Sequence, residues 1–226
     1  MSPVAFLLLT SLLAQVPPFS ARFEQITAAQ GEADTVRGTI YFAAPWRIYY
    51  QVDYPLNQLL SVVMNTMTVY YPDKALAYVI KGKSQVESPM SQQSLGTADP
   101  AQAMFEMGFK LGKTSTVGDT AYAVWNPKDK RTPFGRVTFG RVGRATVFVE
   151  VMRRNGRPMM RARLSGHVQV DTFRLPTRTV TERFDTEGRR TLETQTYTGL
   201  DTSTDFLYTL ARFALPPGTR IKTSNW

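Results

Sequence analysis

Residues 45–58 read PWRIYYQVDYPLNQ, an aromatic and alternating stretch that begins at a proline and has a second proline ten positions later. Side chains alternate between the two faces of a β-strand, so Ile48, Tyr50 and Val52 fall on one face and the residues between them fall on the other. A sandwich core usually sets aliphatic side chains against polar ones, whereas this stretch also holds Trp46 and Tyr54. We interpret it as part of a wall that holds an apolar guest.

The neighbouring segments share the two-residue period. In VRGTIYF (36–42), Ile40 and Phe42 fall on one face, and LLSVVM, TVYY and LAYVIK follow at short intervals. Such a succession of alternating runs predicts an antiparallel meander. Further along the chain, Asn155 and Gly156 separate two alternating runs, which predicts a two-residue hairpin turn with both residues at positive φ.

Two short segments have helical features. In DPAQAMFEMGF (99–109), Asp99 is suited to be the N-cap, Pro100 fits the first helical position and Gly108 can end the helix. A helix of two turns is not stable alone in water, so this one is expected to lie on an apolar surface. TDFLYTLARF (204–213) also places its apolar residues at helical spacing.

The composition is that of a single globular domain. The 226 residues are 42% hydrophobic and 20% charged, which excludes a disordered chain. About nine to eleven strands and a few short helices are expected, with no internal repeat. The predicted fold is mainly β: a strongly curved antiparallel sheet, or half-open β-barrel, whose concave face is covered by a helical lid.

The first 14 residues predict an export signal. The apolar run at 4–14 precedes Arg22, the first charged residue, and is shorter than the roughly 20 residues that a membrane-spanning helix needs. Ala14 is a small residue suited to cleavage, although the positive n-region is missing. A packed N-terminal helix and an uncleaved tether are the alternatives. The predicted division is a signal peptide at 1–14 and one domain at 15–226.

Several chemistries lack the residues that they need. The sequence contains no cysteine, so disulfides, thiol nucleophiles and Cys-rich zinc sites are excluded. His167 is the only histidine, and Ser165-Gly166-His167 is not a nucleophile elbow. The glycines of 135–144 lack phosphate-binding spacing. We therefore predict no catalytic residue, no metal and no cofactor, and we do not expect an enzyme.

The formal net charge is +9, and many arginines lie between Arg131 and Arg190. They could attract anionic lipid headgroups or an acidic partner, or they could lie on solvated strand faces. Basic strands with aromatic residues can also bind single-stranded nucleic acid. Nucleic acid is not expected here, because the predicted export signal argues against it and no recognition motif is present.

The order of several short motifs resembles the LolA family of periplasmic lipoprotein carriers. They cover most of the chain: Phe23-Glu24-Gln25, Gly38-Thr39-Ile40-Tyr41-Phe42, the pair Pro45 and Pro55, Val69-Tyr70-Tyr71-Pro72, Trp125-Asn126-Pro127-Lys128-Asp129 and Phe213-Ala214-Leu215-Pro216-Pro217-Gly218. The chain departs from the family in having only residues 15–22 where a long helix usually precedes the first motif. Ala44 stands where some members carry an arginine, and Arg47 is the nearest cation.

The resemblance implies a periplasmic, monomeric carrier that binds the acyl chains of lipoproteins or lipids in a hydrophobic groove. It would pass them from an inner-membrane donor to an outer-membrane acceptor, and the flexible methionines would suit its lid. The implied cavity wall or rim is Ile40, Phe42, Trp46, Arg47, Ile48, Tyr50, Val52, Tyr54, Val69 and Tyr71, and the implied lid is Met104, Phe105, Met107 and Phe109.

Two sets of alternatives stay open at this point. The same side chains could be ordinary core, and Arg47 could be a solvated surface charge. The alternative function is a module of the same fold that recognises a protein partner or mislocalised lipid without transporting it.

Overall fold

Strands account for most of the described chain in the computed structural model. The structure describes residues 17–44, 47–64, 66–81, 101, 104–105, 107–129, 134–171, 173–207 and 214–225. The strands are β1 (Phe19–Ala29), β2 (Glu32–Ala44), β3 (Arg47–Tyr54), β4 (Gln58–Val63), β5 (Thr66–Tyr71), β6 (Leu76–Lys81), β7 (Phe109–Val117), β8 (Thr120–Pro127), β9 (Phe134–Val142), β10 (Ala145–Arg153), β11 (Pro158–Ser165), β12 (Val168–Val170), β13 (Phe173–Leu175), β14 (Arg178–Phe184), β15 (Arg190–Asp201) and β16 (Arg220–Asn225).

Fourteen of these strands form one sheet in the order β16-β6-β5-β4-β3-β2-β1-β15-β14-β11-β10-β9-β8-β7. The mainly-β prediction is confirmed. The prediction of a wholly antiparallel sheet is wrong at one edge, because β16 runs parallel to β6. A parallel neighbour requires a long crossover connection, and here the chain leaves β15 in the middle of the sheet and returns at its edge. Since β7 and β16 lie at opposite edges, the fourteen described strands do not form a closed barrel.

The hairpin between β10 and β11 lies where the sequence predicts it, but its turn is longer. The backbone N–H of Arg153 donates to the carbonyl of Arg157 at 2.7 Å, which leaves a three-residue loop. Gly156 has φ +77°, whereas Asn155 is not among the positive-φ residues. A type I turn followed by a left-handed glycine is the common three-residue hairpin, and it replaces the predicted two-residue turn.

One face of the sheet carries two buried apolar clusters. On this face, which we call the inner face, Ile40 lies opposite Ala21 of β1 and Tyr50 of β3. The first group, here named the wall cluster, comprises Phe19, Ala21, Phe23, Ile40, Phe42, Ile48, Tyr50, Val52, Val170, Phe173, Leu175 and Tyr197. The second, here named the Trp125 cluster, lies in the half of the sheet built from β7 to β11 and comprises Met104, Phe109, Trp125, Val137, Val151 and Met160.

The predicted helical lid is not supported. The described α-helical residues are Ala101, Met104 and Phe105 in one segment and 205–207 in another. The 3-10 turn Pro72–Lys74 is the remaining described helical element, and it buries no residue. The wall cluster is instead covered by the two-stranded sheet of β12 and β13, which supplies Val170, Phe173 and Leu175.

Several sequence predictions lie outside the described residues. They are the signal peptide at 1–14, the side chain of Trp46, the polar loop at 84–97, the N-cap at Asp99 and most of the helix predicted at 204–213. Among the described residues, the structure contains no helix long and apolar enough to span a membrane.

Candidate functional site

The wall cluster is built by three adjacent strands, β1, β2 and β3. Their alternating residues point to the inner face in register, so that Phe42 lies opposite both Phe19 and Ile48. Phe19 and Phe42 stack with ring centroids 5.2 Å apart, and both are at most 2% exposed. The period of two in FSARF, VRGTIYF and RIYYQV therefore produces one continuous apolar surface.

A glycine in β2 lets the backbones of β2 and β3 approach each other closely. A Cβ added to Gly38 would lie against the backbone of Gln51 and Val52 in β3, so only glycine permits this approach. The register between β2 and β3 shifts at the same point, between Arg37 and Gly38. The ring of Tyr50 packs edge-on against Phe23, with centroids 5.5 Å apart. The bulge and the absence of a side chain at Gly38 thus bring β2 and β3 close together. The aromatic pair of Phe23 and Tyr50 lies beside this point, in the centre of the wall.

The two short strands β12 and β13, here called the flap, lie over the wall cluster. Flap side chains alternate: Val170, Phe173 and Leu175 are buried, whereas Gln169 and Arg174 are exposed. The flap is a continuation of the hairpin formed by β11 and β14, since the pairing of these strands runs up to Ser165 and Arg178. The flap therefore belongs to one long hairpin whose tip packs against the inner face.

The chain bends at Gly166, where the flap joins β11. Gly166 has φ +64°, and a Cβ at this position would meet the hydroxyl of Thr177. That hydroxyl donates to the carbonyl oxygen of Gly166 at 2.7 Å. On the same connection, Nε2 of His167 lies 2.9 Å from the carbonyl oxygen of Thr146 in β10. These few polar contacts hold the base of the flap, and its tip is held by apolar packing.

A band of polar side chains lies beside the wall on the inner face. Thr179 of β14 is paired directly with Gln195 of β15, and Thr181 is paired with Glu193. Thr179, Thr181 and Gln195 are 6%, 7% and 6% exposed. Within the described part of the chain, the hydroxyls of Thr179 and Tyr197 have no hydrogen-bond partner. A buried hydroxyl without a partner costs about 1–3 kcal/mol, so two of them together are unusual.

Burial extends the pH range over which the phenols of this region stay protonated. It raises the pKa of Tyr50 to about 12, and the Glu193 carboxylate adds to the effect. Burial also raises the pKa of Tyr197 well above its ordinary value, with smaller contributions from Tyr50 and Glu193. Both hydroxyls are neutral at physiological pH, as an unperturbed phenol already is, and can donate a hydrogen bond.

We expect the free energy of unfolding to fall as the pH rises from about 10 to 12. Tyrosine in the unfolded chain ionises near pH 10, whereas folded Tyr50 keeps its proton until about pH 12. The folded state then binds more protons in this window, so rising pH favours unfolding, by about 2–3 kcal/mol for this residue. Denaturant titrations of the wild type and Tyr50→Phe measure the effect. An alkaline slope that is the same in both proteins would contradict the burial of this phenol.

The predicted wall residues do not all lie together. Ile40, Phe42, Ile48, Tyr50 and Val52 belong to the wall cluster. Val69 and Tyr71 lie on the same face in β5, where Val69 pairs with Leu60. Arg47 is exposed and lies on the face opposite Ile48, and Tyr54 is 51% exposed beside the Arg37 guanidinium.

The predicted lid residues gather in the other half of the inner face. Met104 and Phe109 are buried in the Trp125 cluster, and Met107 packs against it. Phe105 is 53% exposed, with its ring edge-on to Trp125 at 5.0 Å between centroids. Phe109 belongs to strand β7 and not to a helix. These residues thus do not cover the wall formed by β1, β2 and β3.

The flap and part of the wall were not predicted from the sequence. Phe19, Phe23 and Tyr197 are central to the wall cluster. The alternation in FSARF could have identified the first two. Val168–Leu175 could have been recognised because a hairpin tip is normally polar, whereas this one alternates apolar residues with Gln169 and Arg174.

Many of the arginines between 131 and 190 lie on the opposite face or in turns. Arg161 pairs with Glu150 at 2.7 Å, and Arg190 pairs with Glu182 at 2.9 Å. Pairs of this kind near the surface contribute little to stability. Among the described residues, no group of three or more acidic or histidine side chains could hold a metal ion.

Comparison with solved structures identifies the fold. A LolA superfamily protein from Nitrosomonas europaea matches with a TM-score of 0.55 and 15% identity, over 82% of this chain and 86% of that one. A domain described as an outer membrane lipoprotein-sorting protein, from Vibrio parahaemolyticus, matches with a TM-score of 0.60 and 12% identity, over 87% and 92% of the two chains. A DUF1329 family protein from Desulfovibrio piger has a TM-score of 0.57 and 15% identity, over 84% and 87%.

These identities are low, so the similarity concerns the fold. No protein-family model matches the chain, and no curated protein matches it. The resemblance predicted from the motifs is confirmed at this level: the chain has a LolA-like fold.

Proposed function

Starting from the LolA-like fold, we propose that this protein is a periplasmic carrier that binds the acyl chains of lipoproteins or lipids and passes them toward the outer membrane. The observation that carries the proposal is the wall cluster, a surface of aromatic and aliphatic side chains covered by a small flap at the tip of a hairpin. In this function, residues 1–14 direct export, and an inner-membrane donor and an outer-membrane acceptor are the partners of a monomer.

The flap provides a route for cargo to enter. Val170, Phe173 and Leu175 occupy the inner face when the flap lies on it. Acyl chains that replace them exclude water from the wall, and each buried methylene contributes about 0.8 kcal/mol to the binding free energy. When the cargo leaves, the flap side chains cover the wall again. Reversible exchange between flap and cargo lets a carrier bind hydrocarbon tightly and still release it to a stronger apolar site.

The proposed role is binding and not catalysis. The described polar side chains beside the wall include Thr179, Thr181, Gln195 and the phenols, with the Glu193 carboxylate close by. The only histidine, His167, lies at the base of the flap and contacts the backbone of Thr146. A nucleophile activated by a general base needs these groups within hydrogen-bond reach of each other. Nucleic acid is not part of the proposal.

One observation favours the alternative, a module that binds a protein partner. Among the described strands, β7 pairs with β8 alone, and its residues after Phe109 are exposed, including Leu111 and Val117. An exposed edge strand can accept a further strand from another chain. A module of this kind would purify without lipid and would retain a protein.

Two neighbouring leucines of β4 provide a matched test of the carrier. Leu60 packs against the wall cluster, whereas Leu59 is equally half-buried but points to the opposite face. The full chain is incubated with phosphatidylethanolamine vesicles that hold a synthetic diacylated peptide, and bound peptide is counted by mass spectrometry after gel filtration. We expect Leu60→Asp to reduce the recovered peptide about tenfold or more, because a charge beside hydrocarbon is costly.

Leu59→Asp is the control and should recover as much peptide as the wild type. Equal losses in both variants would show a general effect of the charge on the fold. A wild-type protein that recovers no acylated peptide would contradict the proposed function.

A further inference from the structure

The polar band beside the wall cluster contains buried hydroxyls that fold stability does not explain. Tyr197 is 5% exposed and Thr179 is 6% exposed. Their hydroxyl oxygens have no hydrogen-bond partner in the described part of the chain. Buried polar groups are normally satisfied, and exceptions often mark a functional role. The two residues lie on neighbouring strands, β14 and β15, and both face inward.

The band lies directly at the base of the flap. The backbone N–H of Tyr197 donates to the carbonyl of Thr177 at 2.8 Å. Thr177 is also the residue whose hydroxyl holds Gly166, where the flap bends. On its other side, Tyr197 is paired with Phe23 and belongs to the wall cluster. A molecule lying on the wall with the flap raised would therefore bring one end of its hydrocarbon next to these hydroxyls.

The charges around the band favour a neutral ligand group. Glu193 lies two residues before Gln195 on β15 and acts electrostatically on both Tyr50 and Tyr197. Its carboxylate is 3.6 Å from the Arg183 guanidinium, so its charge is only partly compensated. An anionic group would be repelled here, whereas a neutral carbonyl oxygen can accept a hydrogen bond from a phenol or a threonine hydroxyl.

We propose that Tyr197 and Thr179 bind the carbonyl oxygen of the ester or amide that joins an acyl chain to the rest of the cargo. This inference rests on the proposed function, because it gives the acyl chain its position on the wall. The band thus selects for acyl linkages and against plain hydrocarbon or ether-linked chains. A hydrogen bond to a hydroxyl that is already desolvated contributes more binding free energy than one to a hydroxyl that must first lose water.

Two lysophospholipids that differ only in the linkage test the proposal. 1-Palmitoyl-lysophosphatidylcholine has an ester carbonyl, and 1-O-hexadecyl-lysophosphatidylcholine has an ether in its place. Both are titrated as monomers into the full-length protein by calorimetry. We expect the ester lipid to bind about tenfold more tightly than the ether lipid, because only the ester carbonyl accepts a hydrogen bond from a buried hydroxyl, and one such bond changes the affinity by about this factor.

The double variant Tyr197→Phe and Thr179→Val removes both hydroxyls and keeps the side-chain shapes. It should fold at least as stably as the wild type, since neither hydroxyl has a partner to lose. It should bind both lipids with the affinity that the wild type shows for the ether. Tyr122→Phe and Thr196→Val, which alter half-buried residues on the opposite face, should keep the preference for the ester.

The possible results separate this inference from the proposed function. If the wild type binds both lipids equally, or if the double variant keeps the preference, the carbonyl site is wrong and the carrier proposal stands. If the wild type binds neither lipid, both are wrong.

Discussion

Phe42→Ala is expected to lower the free energy of unfolding by about 3–5 kcal/mol, the usual cost of removing a fully buried aromatic side chain. Phe42 is 1% exposed and stacks on Phe19 with ring centroids 5.2 Å apart. It also lies across from Ile48 in the adjacent strand. Its removal leaves a cavity in the centre of the wall, which cannot collapse because β1, β2 and β3 are held in register. Chemical denaturation followed by circular dichroism measures the loss.

Val117→Ala is the control for this experiment. Val117 is 68% exposed at the end of edge strand β7, and its truncation should change stability by less than about 0.5 kcal/mol. A loss of less than about 1 kcal/mol for Phe42→Ala would mean that the side chains of the wall can rearrange to fill the space. In that case the closed packing described for the wall cluster would be wrong.

Phe173→Ser is expected to raise the apparent affinity for 1-palmitoyl-lysophosphatidylcholine by more than about tenfold. Phe173 is one of the three buried side chains by which the flap covers the wall. If acyl chains bind only with the flap raised, the apparent affinity is reduced by the small fraction of open molecules. Removing a large apolar contact of about 2–3 kcal/mol raises that fraction and so tightens binding. Calorimetric titration measures the change.

Arg174→Ser is the matched control, because Arg174 is the next residue in β13 and points to solvent. It should leave the affinity within about twofold of the wild type, since surface substitutions have small effects. Weaker binding by Phe173→Ser would show that the flap is part of the bound state, and not a cover that cargo must displace. Unchanged binding would place the cargo away from the wall cluster.

The wall could be predicted from the sequence because its signal is local. The alternation of Ile40 with Phe42, and of Ile48 with Tyr50 and Val52, fixes which side chains share a face. This assignment of side chains to a face does not depend on which strands become neighbours in the sheet. Val69 and Tyr71, which the resemblance implies for the wall or rim, lie on the inner face two strands beyond β3.

The cover of the wall could not be predicted in the same way. Met104 and Met107 have helical spacing and follow a good N-cap, which predicts a helix, and the family resemblance implies a lid at this place. Nothing local indicates that they pack on Trp125 in the other half of the sheet. The alternation in the flap indicates two short strands of three residues each, but it does not indicate that they fold back over the wall. The polar band depends on the pairing of β14 with β15, a property of tertiary structure.

The position of β1 has a consequence for how the chain folds. Phe23 pairs with Gly38 on one side but with Tyr197 on the other, so the centre of the sheet joins segments far apart in the chain. Pairings of this kind raise the contact order and slow folding. Until β15 and β16 pair with β1 and β6, the first hairpins expose two unpaired edges and a row of phenylalanines, which are features that promote aggregation. A molecular chaperone that shields the early strands should therefore increase the yield of native protein.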